Sequence, residues 1–179
     1  YAALSPLGKE YGDVIYKAFN EEWIDAFAND NKVSGAYCLS IYGNHPYVLL
    51  NYNNSLGSVS TLAHELGHAV YEYMSSKNQS YFNSNPSIFT HEVASTTNEA
   101  LLYEMLIKNS ENDQQKAYYI TQYLDLIKEL EEAKDNNNEK DYIDKFLKLL
   151  ELLGNILPIP PVIIKSAKTA KEFFDKVFK

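Results

Sequence analysis

Thr61-Leu62-Ala63-His64-Glu65-Leu66-Gly67-His68-Ala69-Val70 is the stretch from which the rest of this chain is read. Two histidines stand four residues apart, with a glutamate directly after the first. On a helix, positions i and i+4 share a face about one turn apart. Both imidazoles can then reach one metal ion, while Glu65 sits about 100° round the helix from His64. A carboxylate so placed can act on water beside the ion without being a ligand itself. This is the HExxH pattern of zinc hydrolases. The apolar neighbours Leu62, Ala63, Leu66, Ala69 and Val70 support a buried helix, and Gly67 suits close packing beside the metal.

Upstream of the motif, Tyr47 to Tyr52 reads as a strand returning from a turn at Gly43-Asn44-His45-Pro46, with Gly35 to Tyr42 as its partner. A short antiparallel hairpin is therefore expected just before the motif helix, whose N-cap is expected at Ser58 or Ser60. Apolar residues from Ile15 to Phe27, Trp23 among them, recur at helical spacing. They predict one amphipathic helix over 9–29, entered through a loop at 1–8. Downstream, the motif helix is expected to end near Ser75. A second helix follows from Ser87 or Thr90 to Lys108, and a third over 114–133. Beyond these come a polar turn at 134–141, an apolar helix over 142–153, an extended proline-rich segment at 157–161 and a last helix over 165–178. The expected fold is mainly α, α+β at the margin: a zincin-like core of about six helices with the hairpin beside the HExxH helix. Residues 1–179 are expected to form a single catalytic domain.

Composition narrows the function. The formal net charge is −8 and every basic residue is lysine, so nothing favours nucleic acid or an anionic membrane as partner. No apolar run approaches the ~20 residues needed to cross a bilayer, and no signal peptide is visible. The single cysteine, Cys38, excludes an internal disulfide and fits a reducing compartment; it reads as a small buried strand residue. The lack of arginine points to a biased coding composition or a redesigned chain. The start at Tyr1 without Met suggests a fragment or a processed product.

Two imidazoles rarely complete a catalytic zinc site; three protein ligands and one open position are usual. The remaining candidates are His45, His91, Cys38 and the carboxylates. Glu92 is favoured because it opens the following helix, where Ala94, Ser95, Thr96 and Thr97 are small enough for close approach. Glu99 is the alternative ligand, and whichever carboxylate does not bind can hydrogen-bond a ligand histidine. Glu72, four residues past His68, is a further candidate for that supporting role. His45 and His91 read more simply as a turn residue and a helix-start residue.

Ser34-Gly35-Ala36-Tyr37, the run Tyr42 to Tyr52, the motif itself and Ser87-Ile88-Phe89-Thr90-His91-Glu92-Val93-Ala94-Ser95-Thr96-Thr97-Asn98-Glu99 together resemble oligoendopeptidase F, among the thimet-oligopeptidase-like zinc metallopeptidases. The resemblance covers about residues 5–127. It implies Zn2+ bound by His64, His68 and Glu92, Glu65 as general base and Glu99 close by. It implies substrate-binding residues Gly35, Ala36 and Tyr37 on an edge strand that pairs with a peptide. It further implies a cytoplasmic enzyme acting on short peptides.

After Ile127 the chain departs from the family. A His- and Tyr-rich segment that completes the family's active site is not found, and 142–150 resembles the family's C-terminal region, as if an internal stretch were deleted. Oxyanion donors would then have to come from tyrosines such as Tyr37, Tyr42 or Tyr71. Apolar surface left uncovered would favour self-association. The expected function is zinc-dependent hydrolysis of oligopeptides. The alternatives are a miniaturised or redesigned zinc scaffold with little activity, or an interaction module.

Overall fold

The structure is a computed structural model and describes residues 1–85 and 87–134. Its architecture is mainly helical with one small sheet. The elements are α1 (Lys9–Asn20), β1 (Ile24–Phe27), β2 (Tyr37–Leu39), β3 (Tyr47–Tyr52), α2 (Leu56–Asn78), α3 (Ile88–Lys108) and α4 (Asp113–Lys134). Short 3-10 turns occupy Ala2–Leu7 and Tyr81–Asn83. The chain divides between Glu111 and Asn112 into two units. Everything from α1 to α3 lies in the first, and α4 opens the second. The features expected over 135–179 lie outside the described residues.

The motif helix α2 is the centre of the first unit, and both its sides are covered. Against one side packs β3, where Val48, Leu50 and Ala69 form a cluster joined by Ile24, Ala36, Cys38 and Leu62. On another side Ala63 meets Ala3 and Leu102, with Val59, Met105 and Leu106 around them. Burial of this kind is the main favourable contribution to folding. It also explains the motif's apolar neighbours: a helix clad on several sides cannot be a simple amphipath.

α2 begins earlier than expected. Its N-cap is Ser55, whose Oγ accepts the Ser58 backbone N–H at 3.1 Å. Ser58 Oγ accepts the Ser55 N–H in return at 3.3 Å, a reciprocal capping box. Ser58 is thus the third helical residue, and Ser60 lies buried inside the helix. The helix also runs a turn past Ser75, to Asn78. α3 starts as expected, with Ser87 as N-cap accepting from the Thr90 N–H.

The helix expected over 9–29 is overturned in its second half. α1 stops at Asn20, and Glu22 takes a left-handed backbone, φ 60°. The chain reverses there, and Ile24–Phe27 forms β1 instead. Its half-buried/exposed alternation has the period of a strand. The overriding force is tertiary. β1 adds to β3 in parallel, beginning with the Val48 N–H donating to the Trp23 carbonyl at 2.7 Å. Trp23 is fully buried and stacks on His45, ring centroids 5.1 Å apart.

The expected hairpin is present, β2 pairing antiparallel with β3, though β2 is only three residues long. The sheet order is β1-β3-β2. β2 is therefore an edge strand, with one row of backbone groups unpaired within the sheet. The entry segment is a 3-10 turn rather than a loop, because Ala3 and Leu4 are buried.

Candidate metal centre

Helical phase brings the motif histidines together. The His64 and His68 rings sit edge to face, centroids 4.7 Å apart. Glu92, the fifth residue of α3, faces both. Its Oε2 is 3.4 Å from His64 Nε2 and its Oε1 is 3.7 Å from His68 Nε2. One donor atom from each of His64, His68 and Glu92 lies within 4.8 Å of the others.

The approach that permits this runs through Gly67. A Cβ there would lie 2.5 Å from Ser95 Cα and 2.7 Å from the Ala94 carbonyl oxygen. Only a hydrogen at that position allows α3 to come so near.

The outer nitrogens of both imidazoles are engaged. His64 Nδ1 bonds Glu99 Oε2 at 2.8 Å, and the other Glu99 oxygen accepts from Ser60 Oγ at 2.9 Å. His68 Nδ1 bonds the His91 backbone carbonyl at 3.1 Å. Each Nδ1 therefore carries the proton, which leaves each Nε2 lone pair free toward Glu92. Two imidazole nitrogens and a carboxylate are donors of the kind zinc takes, with outer partners already in place. The residues present fit a divalent ion of that type.

Electrostatics follow from burial. At His64 burial opposes the imidazolium, but the Glu99 hydrogen bond and charge outweigh it and the pKa is raised. At His68 burial comes first, reinforced by the His91 and His64 charges, and the pKa falls to about 4. That imidazole is neutral at pH 7, as a ligand must be. Burial likewise raises the Glu65 carboxyl above the usual range, with the His64 charge opposing. Glu65 is only 6% exposed, and its Oε2 makes no hydrogen bond.

His64, Glu65 and Glu99 line a cleft of about 630 Å³. Gly35 and Ala36 line it too, with Leu50, Asn51 and Tyr52 from β3 and Thr61 from α2. Asn51 Nδ2 donates to the carbonyls of Val33 and Gly35, both at 2.9 Å, which anchors the segment before β2. Tyr37 begins β2 opposite Leu49 and is half-exposed but does not line the cleft.

Other candidates fall elsewhere. His45 stacks on Trp23, and Cys38 packs against the β3–α2 cluster. Tyr42 OH donates to the Gln79 carbonyl and Tyr71 OH to Thr90 Oγ1, and neither residue lines the cleft.

Several contributors carry no signal of their own in the sequence. Ser60 is one more small residue in a helix until Glu99 is seen beside it. Asn51, Tyr52 and Asn53 line the cleft because β3 runs directly into the cap of α2. Asn98, fully buried, donates from Nδ2 to the Ala63 carbonyl at 2.9 Å and accepts from Tyr11 OH at 2.7 Å. Asn98 stands in a polar run, Thr96-Thr97-Asn98-Glu99, but that run does not name its partners on α1 and α2.

The model of peptidase family M3 matches residues 9–141. Oligopeptidase PepF of Bacillus subtilis is 43% identical over 122 residues, 68% of this chain and 18% of that protein. Group B oligopeptidase PepB of Streptococcus agalactiae is 38% identical over 125 residues, 70% of this chain and 21% of that one. A crystal structure from Chlamydophila abortus superimposes with a TM-score of 0.68 at 44% identity, covering 71% of this chain and 22% of that one. The chain thus spans about a fifth of the length of the curated relatives it matches. With the HExxH helix, the carboxylate on α3 and a family match over most of its residues, the chain belongs to peptidase family M3.

Proposed function

We propose that this chain is the catalytic part of a zinc-dependent endopeptidase that hydrolyses short peptides in a reducing, cytoplasmic compartment. One observation carries the proposal: His64, His68 and Glu92 converge, and Glu65 stands beside them in a cleft edged by Gly35 and Ala36. His64 Nε2, His68 Nε2 and a Glu92 oxygen would hold the ion. Bound there, zinc supplies Lewis acidity to water and to the peptide carbonyl.

The chain's own residues do the rest. Glu65 takes a proton from the attacking water and delivers it to the leaving amine. Its burial suits that role, since a carboxylate whose pKa is raised is a stronger base toward the water's proton. Glu99 and the His91 carbonyl keep the imidazoles turned toward the ion. The outer edge of β2, unpaired among the described residues and approached through Gly35, Ala36 and Tyr37, offers backbone groups to an extended peptide.

A slower enzyme, or a zinc scaffold, is the second reading. Tyr42 and Tyr71 spend their hydroxyls outside the cleft, so neither offers an oxyanion donor there. Loss of one such donor typically costs ~10²–10³ in rate.

The test is hydrolysis of internally quenched peptides by zinc-loaded protein, beside Glu65→Gln. Turnover is expected in the parent and lost in the variant, with one zinc bound to each. Zinc uptake with no turnover in the parent supports the scaffold. Failure to bind zinc would overturn the proposal.

A further inference from the structure

His91 is adjacent to one ligand and packed on another. It precedes Glu92 on α3, and its ring lies flat on His68, centroids 3.9 Å apart and planes 16° from parallel. Its backbone carbonyl also accepts from His68 Nδ1. One residue thus holds His68 by its face and by its outer nitrogen.

The His91 ring is set in turn by Glu72, one turn beyond His68 on α2. His91 Nε2 lies 2.9 Å from Glu72 Oε1. The approach is not aligned as a hydrogen bond, and His91 Nε2 and Glu72 Oε2 are buried without one. Tyr71 closes the remaining side, its ring edge-on to His91 and its hydroxyl on Thr90. Packing alone does not require this arrangement. An apolar pair of equal volume joins two helices at least as well as a buried carboxylate and imidazole. Neither residue lines the cleft, so neither is placed to meet a peptide there.

We propose that Glu72 and His91 are a positioning pair for the metal centre. Glu72 fixes the His91 ring, and His91 fixes the plane of His68 and its spacing from Glu92. The inference rests on the metal-centre reading above. It concerns two residues outside the ligand set, joined to it through the stack and one carbonyl.

The test uses Glu72→Gln, which keeps shape and removes the charge, and His91→Phe, which keeps a stacking ring and drops the Glu72 contact. Zinc affinity is measured by chelator competition, and the visible d–d absorption of the Co2+ form reports ligand geometry. Both variants are expected to bind zinc about 10–100-fold more weakly. Both should also show a displaced cobalt spectrum while the circular dichroism of the metal-free protein is unchanged. Weaker binding with the parent cobalt spectrum means the pair only supports the fold, and overturns the positioning role. So does unchanged affinity in both variants. A parent protein that takes up neither metal overturns the metal centre itself, and the pair's role falls with it.

Discussion

A single hydrogen atom decides whether the two ligand-bearing helices can meet. At Gly67 any side chain would push into the α3 backbone at Ser95 and Ala94, where nothing flexible can give way. Gly67→Ala is therefore expected to force α2 and α3 apart at the turn between the two histidines. Overpacking of this kind costs about 1–3 kcal/mol. Thermal unfolding should show a lower Tm, and zinc stoichiometry should fall because Glu92 is carried away from both imidazoles. Gly57 is the control: its nearest neighbour to an added Cβ is Ser55 Oγ at 3.7 Å, an ordinary contact. Gly57→Ala should leave Tm unchanged or raise it slightly, since alanine is the better helix former by about 1 kcal/mol. Equal behaviour of the two variants would refute the account. The same residue shows how much was legible at this scale. His64, Glu65, His68 and Glu92 declare themselves by spacing and chemistry, and Gly67 suggests close packing. The sequence does not say which backbone it lets in, because that partner lies on another element.

Elements are legible where a local device sets them and not where a distant partner does. β3 matches its expected bounds, since strand composition and flanking turns agree there. Over β1 the spacing of Trp23, Ala26 and Phe27 suits a helix, whereas the strand turns Ile24 and Ala26 inward and leaves Phe27 exposed. The strand depends on β3, more than twenty residues away in sequence. At the start of α2 several serines suit a cap by composition, and the one that caps is Ser55, whose partner Ser58 stands three residues on. That device is testable. Ser55→Ala removes the acceptor for the Ser58 N–H and opens the reciprocal bond. A lost N-cap typically costs about 1 kcal/mol. Urea unfolding should register a loss of that size with an unchanged m-value. Ser58→Ala should cost a comparable amount, and the double variant little more than either, because the two bonds form one unit. Full additivity would show two independent contacts instead.

At the scale of the first unit, a polar strut ties the metal centre to α1 as well as to α2 and α3. Tyr11 on α1 donates to Asn98 on α3, and Asn98 donates to the Ala63 carbonyl on α2. Asn98 and Ala63 directly precede Glu99 and His64, so the strut fixes three helices at the level of the site. A buried, fully used amide of this kind specifies one register between helices, where an apolar contact would tolerate slippage. Nothing local predicts it, since its three members are 35 and 87 residues apart. The strut gives the unit a signature in alkali. Burial pushes the Tyr11 hydroxyl up to about 12 from an ordinary 10.0. A folded pKa above the unfolded one means stability that is complete below pH 10 and is lost as pH rises from 10 to about 12. Tyr11→Phe removes both the bond and the titration. At pH 7 the variant should be less stable by about 1–3 kcal/mol, because Asn98 Oδ1 is left without its donor. The difference should narrow between pH 10 and 12, as the parent loses what the variant never had. Urea midpoints of both proteins across that range decide the matter: a gap that stays constant with pH would mean that Tyr11 ionises as freely folded as unfolded, and the strut would not be the closed contact described.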